Sequence, residues 1–315
     1  MTAKLSKWIG YLLMFGFISV ALVFYFLVPK LMVEIRSPES QVIKEKSDRN
    51  YDLIQNRTTG TPITFYSKDS LKLSAYLVQT QSDSVKGTII LVHGIRGRKE
   101  HFIGLSDLLA QSGYNSVLFD LRAHGQSEGR YCTFGVKEKE DLSLLIDELI
   151  VIKRNSSIPI GLIGVWGQSL GGAVALQAMS IDTRLKFGVI ESTFSDFESI
   201  AHDYLNYFIG YSFKSMSRFM VYRGGKLAKF KTELASPIKA CKSIHQPVFM
   251  THGDEDKKIN IKYARANFKA LASKQKKFVV MEGASHVGVW KTGGKAYFDM
   301  VLDFIDTQVE FNLLN

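Results

Sequence analysis

The sequence predicts an α/β protein: a mostly parallel sheet of eight strands, helices on both faces, and one membrane-spanning helix ahead of it. Three observations predict it. Short apolar runs alternate with longer stretches of helical period through residues 57–315. Near the N-terminus, Trp8 to Val28 form a run of 21 residues without a charge. Of 315 residues, 46% are hydrophobic and 22% charged, with only 6 prolines. That composition supplies a sizeable core and excludes disordered, collagen-like and disulfide-scaffold classes.

Residues 1–7 read as a short tail carrying Lys4 and Lys7. Residues 8–28 follow as the anchor, since 21 residues at 1.5 Å rise span about 30 Å, the thickness of a hydrocarbon core. A cleaved leader is the competing reading. Against it, the apolar run exceeds a usual leader core and continues into Val28-Pro29-Lys30 without a small-x-small cleavage site. Trp8, Tyr11 and Tyr25 stand where interfacial anchors belong. The short basic start favours an N-terminus inside and a domain on the extracytoplasmic side; Lys30, Arg36, Lys44, Lys46 and Arg49 beyond the span weigh the other way. Residues 29–56 are polar, mixed in charge and aperiodic, as expected of a stalk.

The candidate strands of the domain, residues 57–315, are Ile63 to Tyr66, Leu71 to Val78, Thr88 to Val92, Asn115 to Phe119, Ile160 to Val165, Phe187 to Ile190, Val248 to Thr251 and Phe278 to Met281. No helix separates the first two, which predicts an antiparallel hairpin at the sheet edge. Helical periods lie near 100–111, 136–153, 169–179, 261–272 and 294–309. One stretch breaks the alternation. Residues 195–245 are rich in aromatic and basic side chains where a short crossover would suffice, which predicts a lid insertion; a longer crossover with packed helices is the alternative. Length alone permits two domains, but the pattern resolves into one anchor, one stalk and one domain.

Chemistry concentrates at the ends of the predicted strands. Gly167-Gln168-Ser169-Leu170-Gly171 follows one strand and opens a helix. Such a turn lifts a serine hydroxyl above the sheet edge, with glycines where side chains would collide. The pattern is weak alone and strong in that context. Serine is a poor nucleophile at neutral pH and needs a base, which in turn needs an orienting acid. Thr251-His-Gly-Asp-Glu-Asp256 and Gly283-Ala-Ser-His286 follow later strands and supply both, in the order serine, acid, histidine. Asp254 and Glu255 compete with Asp256 for the acid. Backbone N–H groups of Leu170 and Ile95 are the candidate oxyanion donors, the first at a helix N-terminus. His93 and Gly94 read as loop-shaping.

The stretches LVHGIRG (91–97), FDLRAHGQSEG (119–129), GVWGQSLGGAVALQ (164–177), ESTFSDF (191–197), THGDEDKKI (251–259) and GASHVGVW (283–290) together resemble the serine α/β-hydrolase superfamily. Within it they resemble the membrane-anchored BEM46- and ABHD-like hydrolases with a serine aminopeptidase S33-type domain. The resemblance covers the chain from about residue 60 onward. It implies the α/β-hydrolase fold and acyl transfer by Ser169, Asp256 and His286, and the family's spacing selects Asp256 over Asp254. It also implies that Asp120 and Arg122 brace loops. The expected reaction is hydrolysis of a carboxylic ester or thioester of a small or lipid-like acyl compound, with no metal or organic cofactor. A peptidase of the same fold, and a non-catalytic binding protein built on it, are the alternatives.

The formal charge of +10 is local. Residues 210–277 hold 16 Lys and Arg against 4 acidic residues. Nucleic-acid binding has no motif here, neither zinc-finger spacing nor an RNP-like segment. A solvated basic face is the ordinary reading of this charge, and contact of part of it with an anionic lipid surface beside the anchor is the sharper alternative. Cys132 and Cys241 lack metal-site spacing, and the sequence leaves open whether they pair.

Overall fold

A computed structural model describes the backbone of residues 2–35, 60–156, 158–210 and 213–314. The chain opens with α1 (Thr2–Leu22), a π-helical turn (Val23–Leu27) and α2 (Val28–Val33). These run on as one apolar helix: Leu5–Val33, 29 residues, is long and apolar enough to cross a membrane. The expected boundaries at residues 7 and 28 therefore fall inside a helix. Pro29 does not break it: the proline, which has no N–H to give, follows directly on the π-helical turn, where the Val28 N–H reaches back five residues to the Val23 carbonyl and the ladder is already widened. Nor do the first residues of the expected stalk hang free. Val33 is fully buried, its carbonyl accepts from the Cys132 N–H at 2.8 Å, and the Ile35 N–H donates to the Arg130 carbonyl at 3.0 Å. The rest of that segment, residues 36–56, lies outside the described residues.

All eight expected strands form: β1 (Gly60–Tyr66), β2 (Lys72–Val78), β3 (Gly87–Val92), β4 (Tyr114–Asp120), β5 (Leu162–Gln168), β6 (Leu185–Glu191), β7 (Val248–Gly253) and β8 (Lys276–Met281). Their order is β1-β2-β4-β3-β5-β6-β7-β8. The β1–β2 and β2–β4 pairs are antiparallel, as the missing helix between the first two strands requires; the other five pairs are parallel. The central strands are buried throughout, whereas edge strand β1 alternates, with Ile63 and Phe65 inside.

Alternation along each strand sends neighbours into two cores. Ile90 and Val92 face α4 (Glu138–Asn155) and α5 (Leu170–Met179), which supply Leu142, Leu145, Val174 and Leu176. Ile89 and Leu91 face the other side, where α3 (Ile103–Gln111) and α10 (Val289–Leu314) contribute Leu105, Leu109, Val301 and Ile305. Helix α5 is buried on every side, which its sequence permits: every residue is apolar or glycine except Gln177, whose amide donates to the Phe134 carbonyl at 2.9 Å. Between β6 and β7 the chain forms α6 (Phe197–Ile209), α7 (Lys214–Ala228) and α8 (Pro237–Cys241). Helix α9 (Lys262–Ala270) connects β7 to β8. Cys132 and Cys241 are both buried and unpaired with each other.

Candidate active site

Because the strands from β3 to β8 run parallel, their carboxyl ends share one edge of the sheet, and the loops leaving them meet there. Ser169 follows the last residue of β5 and is held at φ 57°, ψ −116°, outside the helical and extended regions. Its N–H donates to the Glu191 carbonyl at 2.8 Å, and the Thr193 hydroxyl donates to its carbonyl at 2.9 Å. Only small neighbours admit this turn. A Cβ on Gly171 would lie 1.9 Å from the Val92 carbonyl oxygen, and one on Gly167 would lie 2.3 Å from the Gly171 oxygen.

The structure brings three of the predicted residues into one chain of hydrogen bonds. Ser169 Oγ lies 3.1 Å from His286 Nε2, and His286 Nδ1 lies 2.7 Å from Asp256 Oδ2. With Nδ1 protonated and donating to the carboxylate, Nε2 is left as acceptor for the serine hydroxyl. Asp256 is itself fixed: the N–H groups of Lys258 and Ile259 both donate to Oδ1 at 2.9 Å. Burial raises its pKa, but the hydrogen bonds from His252 and His286 and the charge of His286 outweigh that and hold the carboxyl well below the usual range. Asp254 does a different job, accepting from the Gly283 N–H at 2.7 Å and so tying the acid loop to the histidine loop.

Leu170 and Ile95 flank the serine. Leu170 is the first residue of α5, where N–H groups have no intrahelical partner. The loop carrying Ile95 is pressed against Ser169 at Gly94, where a Cβ would stand 3.2 Å from the serine Cβ. His93 braces that loop: Nδ1 donates to the Gly94 carbonyl at 2.8 Å, and Nε2 accepts the Leu121 N–H at 3.2 Å. Burial drives its pKa down to about 3, which keeps the ring neutral for both bonds. Asp120 accepts from the backbone and side chain of buried Lys99, and Arg122 spans Asp141 and Asp69.

Two positioning residues escaped the sequence reading. His252 Nε2 lies 2.7 Å from the Ile259 carbonyl and 3.2 Å from Asp256 Oδ2, so a single N–H is shared between the acid loop and the acid. The signal was its place four residues before Asp256, which one among seven histidines does not advertise. Glu191 is fully buried at the end of β6. Its Oε1 accepts from Trp166 Nε1 at 2.9 Å, Trp290 Nε1 at 2.7 Å and the Tyr297 hydroxyl, and Gln168 Nε2 donates to Oε2 at 3.1 Å. One carboxylate thus ties the serine turn to the helix that begins just after His286. Burial raises its pKa against those four bonds. The signal was a charge closing an otherwise apolar strand.

Helix α6 of the insertion reaches the site's edge. Tyr204 is half-buried, and its hydroxyl pKa is raised by burial and by the Asp256 charge. A cavity of about 650 Å³ lies between Asp203, Asn206 and Tyr207 on one side and the acid loop from Asp254 to Lys258 on the other. Ser169 and His286 are not on its wall, which makes it a neighbouring space rather than an acyl pocket.

Residues 87–230 match the family described as alpha/beta hydrolase fold, spanning the serine turn and most of the insertion. The chain has the alpha/beta hydrolase fold. Its relatives include protein bem46 of Schizosaccharomyces pombe, 24% identical over 85% of this chain and 81% of that one. Another is the alpha/beta hydrolase domain-containing protein WAV2 of Arabidopsis thaliana, 27% identical over 78% of each chain. Among solved structures, the esterase Pf2001 of Pyrococcus furiosus superposes with a TM-score of 0.65 at 23% identity, covering 81% of this chain and 93% of its own. The structural likeness is one of fold.

Proposed function

We propose that this alpha/beta hydrolase is a serine hydrolase that cleaves a carboxylic ester or thioester of an acyl compound and is held at a membrane by its N-terminal helix. The observation that carries the reading is the continuous line from Ser169 Oγ through His286 to the doubly anchored Asp256 carboxylate. His286 Nε2 takes the proton as Ser169 Oγ attacks the carbonyl carbon, and the N–H groups of Ile95 and Leu170 receive the oxyanion. His286 then protonates the leaving alcohol or thiol. Water, activated by the same imidazole, releases the acid from Ser169. Asp256 orients the ring and stabilises its charged form.

The helix Leu5–Val33 supports the anchor. The basic start before it favours an extracytoplasmic domain, and the basic stretch of residues 210–277 supports contact with anionic headgroups. Fluorophosphonate labelling followed by peptide mass analysis tests the chemistry. The label belongs on Ser169, and Ser169→Ala abolishes both labelling and hydrolysis of p-nitrophenyl butyrate. A Ser169→Ala protein that hydrolyses the ester at the wild-type rate refutes the assignment.

A further inference from the structure

Helix α7 docks on the N-terminal helix in a fixed register. The Tyr25 and Phe219 rings lie 5.9 Å apart, and the Arg223 guanidinium stands 4.2 Å from the centre of the Tyr25 ring. Further along, Gly224 lets the two backbones approach: a Cβ there would be 3.0 Å from Val33 Cγ1 and 3.4 Å from the Pro29 carbonyl oxygen. Residue 219 thus meets 25, and 224 meets 29 and 33. Both chains advance in the same direction, so the start of α7 points back along the N-terminal helix. Lys214 precedes Phe219 by five residues, about 7 Å at 1.5 Å per residue, which sets it level with residues near Val20 of the apolar helix.

At that level the insertion is conspicuously apolar and uncovered. Phe208 is 76% exposed and Phe213 61%, with Tyr207 and Ile209 exposed beside them. Tyr211 lies outside the described residues. Helix α7 itself carries Lys214, Arg218, Arg223 and Lys226 and no acid. Aromatic rings interleaved with basic side chains are the chemistry of a membrane interface, where rings enter the acyl boundary and cations meet phosphates. The helix they lie against has length to spare. Its 29 residues extend about 43 Å, more than the roughly 30 Å of a hydrocarbon core.

We propose that the joint between α6 and α7, through Tyr207, Phe208, Ile209 and Phe213, is seated in the headgroup and upper acyl layer of the bilayer that holds the N-terminal helix. The inference rests on the anchor reading and deepens it: the lid is a second membrane contact, continuous with the first through the Tyr25–Phe219 and Gly224–Val33 packing. Its consequence concerns the substrate. Asp203, Asn206 and Tyr207 of the same helix line one cavity with Asp254 to Lys258, so the lid edge that meets lipid also borders the loop that carries Asp256. An acyl ester resident in the leaflet then reaches Ser169 without crossing water.

Nitroxide labels on the full chain in phosphatidylcholine vesicles, with and without phosphatidylglycerol, test this by the ratio of oxygen to nickel-chelate accessibility. Labels go at Phe208→Cys, at Phe17→Cys in the N-terminal helix, and at Ile181→Cys on the opposite edge of the sheet; Cys132 and Cys241 are buried from the reagent. The expected ratio at position 208 exceeds that at 181 by about threefold or more and approaches that at 17. A water-like ratio at 208 with a lipid-like one at 17 overturns the lid contact and leaves the anchor standing. A water-like ratio at 17 overturns the anchor, and the lid contact with it.

Discussion

The sheet's carboxyl edge and the insertion helices α6 and α7 treat their polar and apolar groups in opposite ways. At the edge, buried charge is extensively bonded: Asp256 receives four hydrogen bonds, Glu191 four, and Asp120 three. At the joint of α6 and α7, large rings stand uncovered and the charges are basic and exposed. Burying an ionised group is costly unless its bonds are made, so the edge holds only one arrangement of its side chains. Exposed rings on a hairpin impose no such demand on the fold. One region is built for fixed geometry; the other leaves rings and cations facing outward.

The sharpest way to break the first half of that contrast is Asp256→Asn. Hydrolysis of a short chromogenic ester is expected to fall about 10⁴-fold in kcat/KM, because the amide no longer fixes the imidazole tautomer. The same residue gives a pH signature. Its folded pKa lies below the ordinary aspartate value of 3.8, so its stabilising contribution is complete above that value and is lost as pH falls toward the folded pKa. Chemical unfolding between about pH 4 and about pH 2 is expected to show a steeper loss of stability in the wild type than in the variant.

Next in size is Glu191→Ala, which strands the N–H groups of Trp166 and Trp290 and the Tyr297 hydroxyl in the core. A loss of about 3–5 kcal/mol in unfolding free energy is expected by urea denaturation. An equal loss in Glu191→Gln would locate the cost in the charge, and a smaller one in the missing acceptor. His252→Gln is gentler. Removing its shared N–H from Asp256 is expected to lower kcat about tenfold with KM unchanged, roughly the 1.4 kcal/mol of one charge-assisted bond. A change confined to KM would place His252 outside the positioning of the acid.

The sheet was legible because strands buried on both faces must read as apolar runs, and Ile89-Ile90-Leu91-Val92 offers no other interpretation beside its flanking glycines. The serine turn was legible for a steric reason: glycine at 167 and 171 is forced by backbone atoms within 2.3 Å of where a Cβ would be. What escaped was carried by distance along the chain. Glu191 meets residues 25, 99 and 106 positions away, and no local period records that. The docking of α7 on the N-terminal helix escaped for the same reason. Gly224 reads as a weak helix residue until Val33 lies against it, and the same contact turned part of an expected stalk into a buried helix end.

The smallest expected effect belongs to the other half of the contrast. The double change Phe208→Ser and Phe213→Ser removes two rings that already face outward, 76% and 61% exposed. Their transfer to water on unfolding is largely complete in the folded state, so the cost in stability should stay within about 0.5 kcal/mol in detergent solution. Circular dichroism melts of the wild type and the double variant in the same detergent measure it directly. A loss of several kcal/mol would mean that the rings pack against the domain in solution, and that the insertion, like the sheet edge, is built for its own chain. A negligible one leaves the two outward-facing aromatic side chains without a role in the fold's own energetics, and assigns their worth to a partner surface.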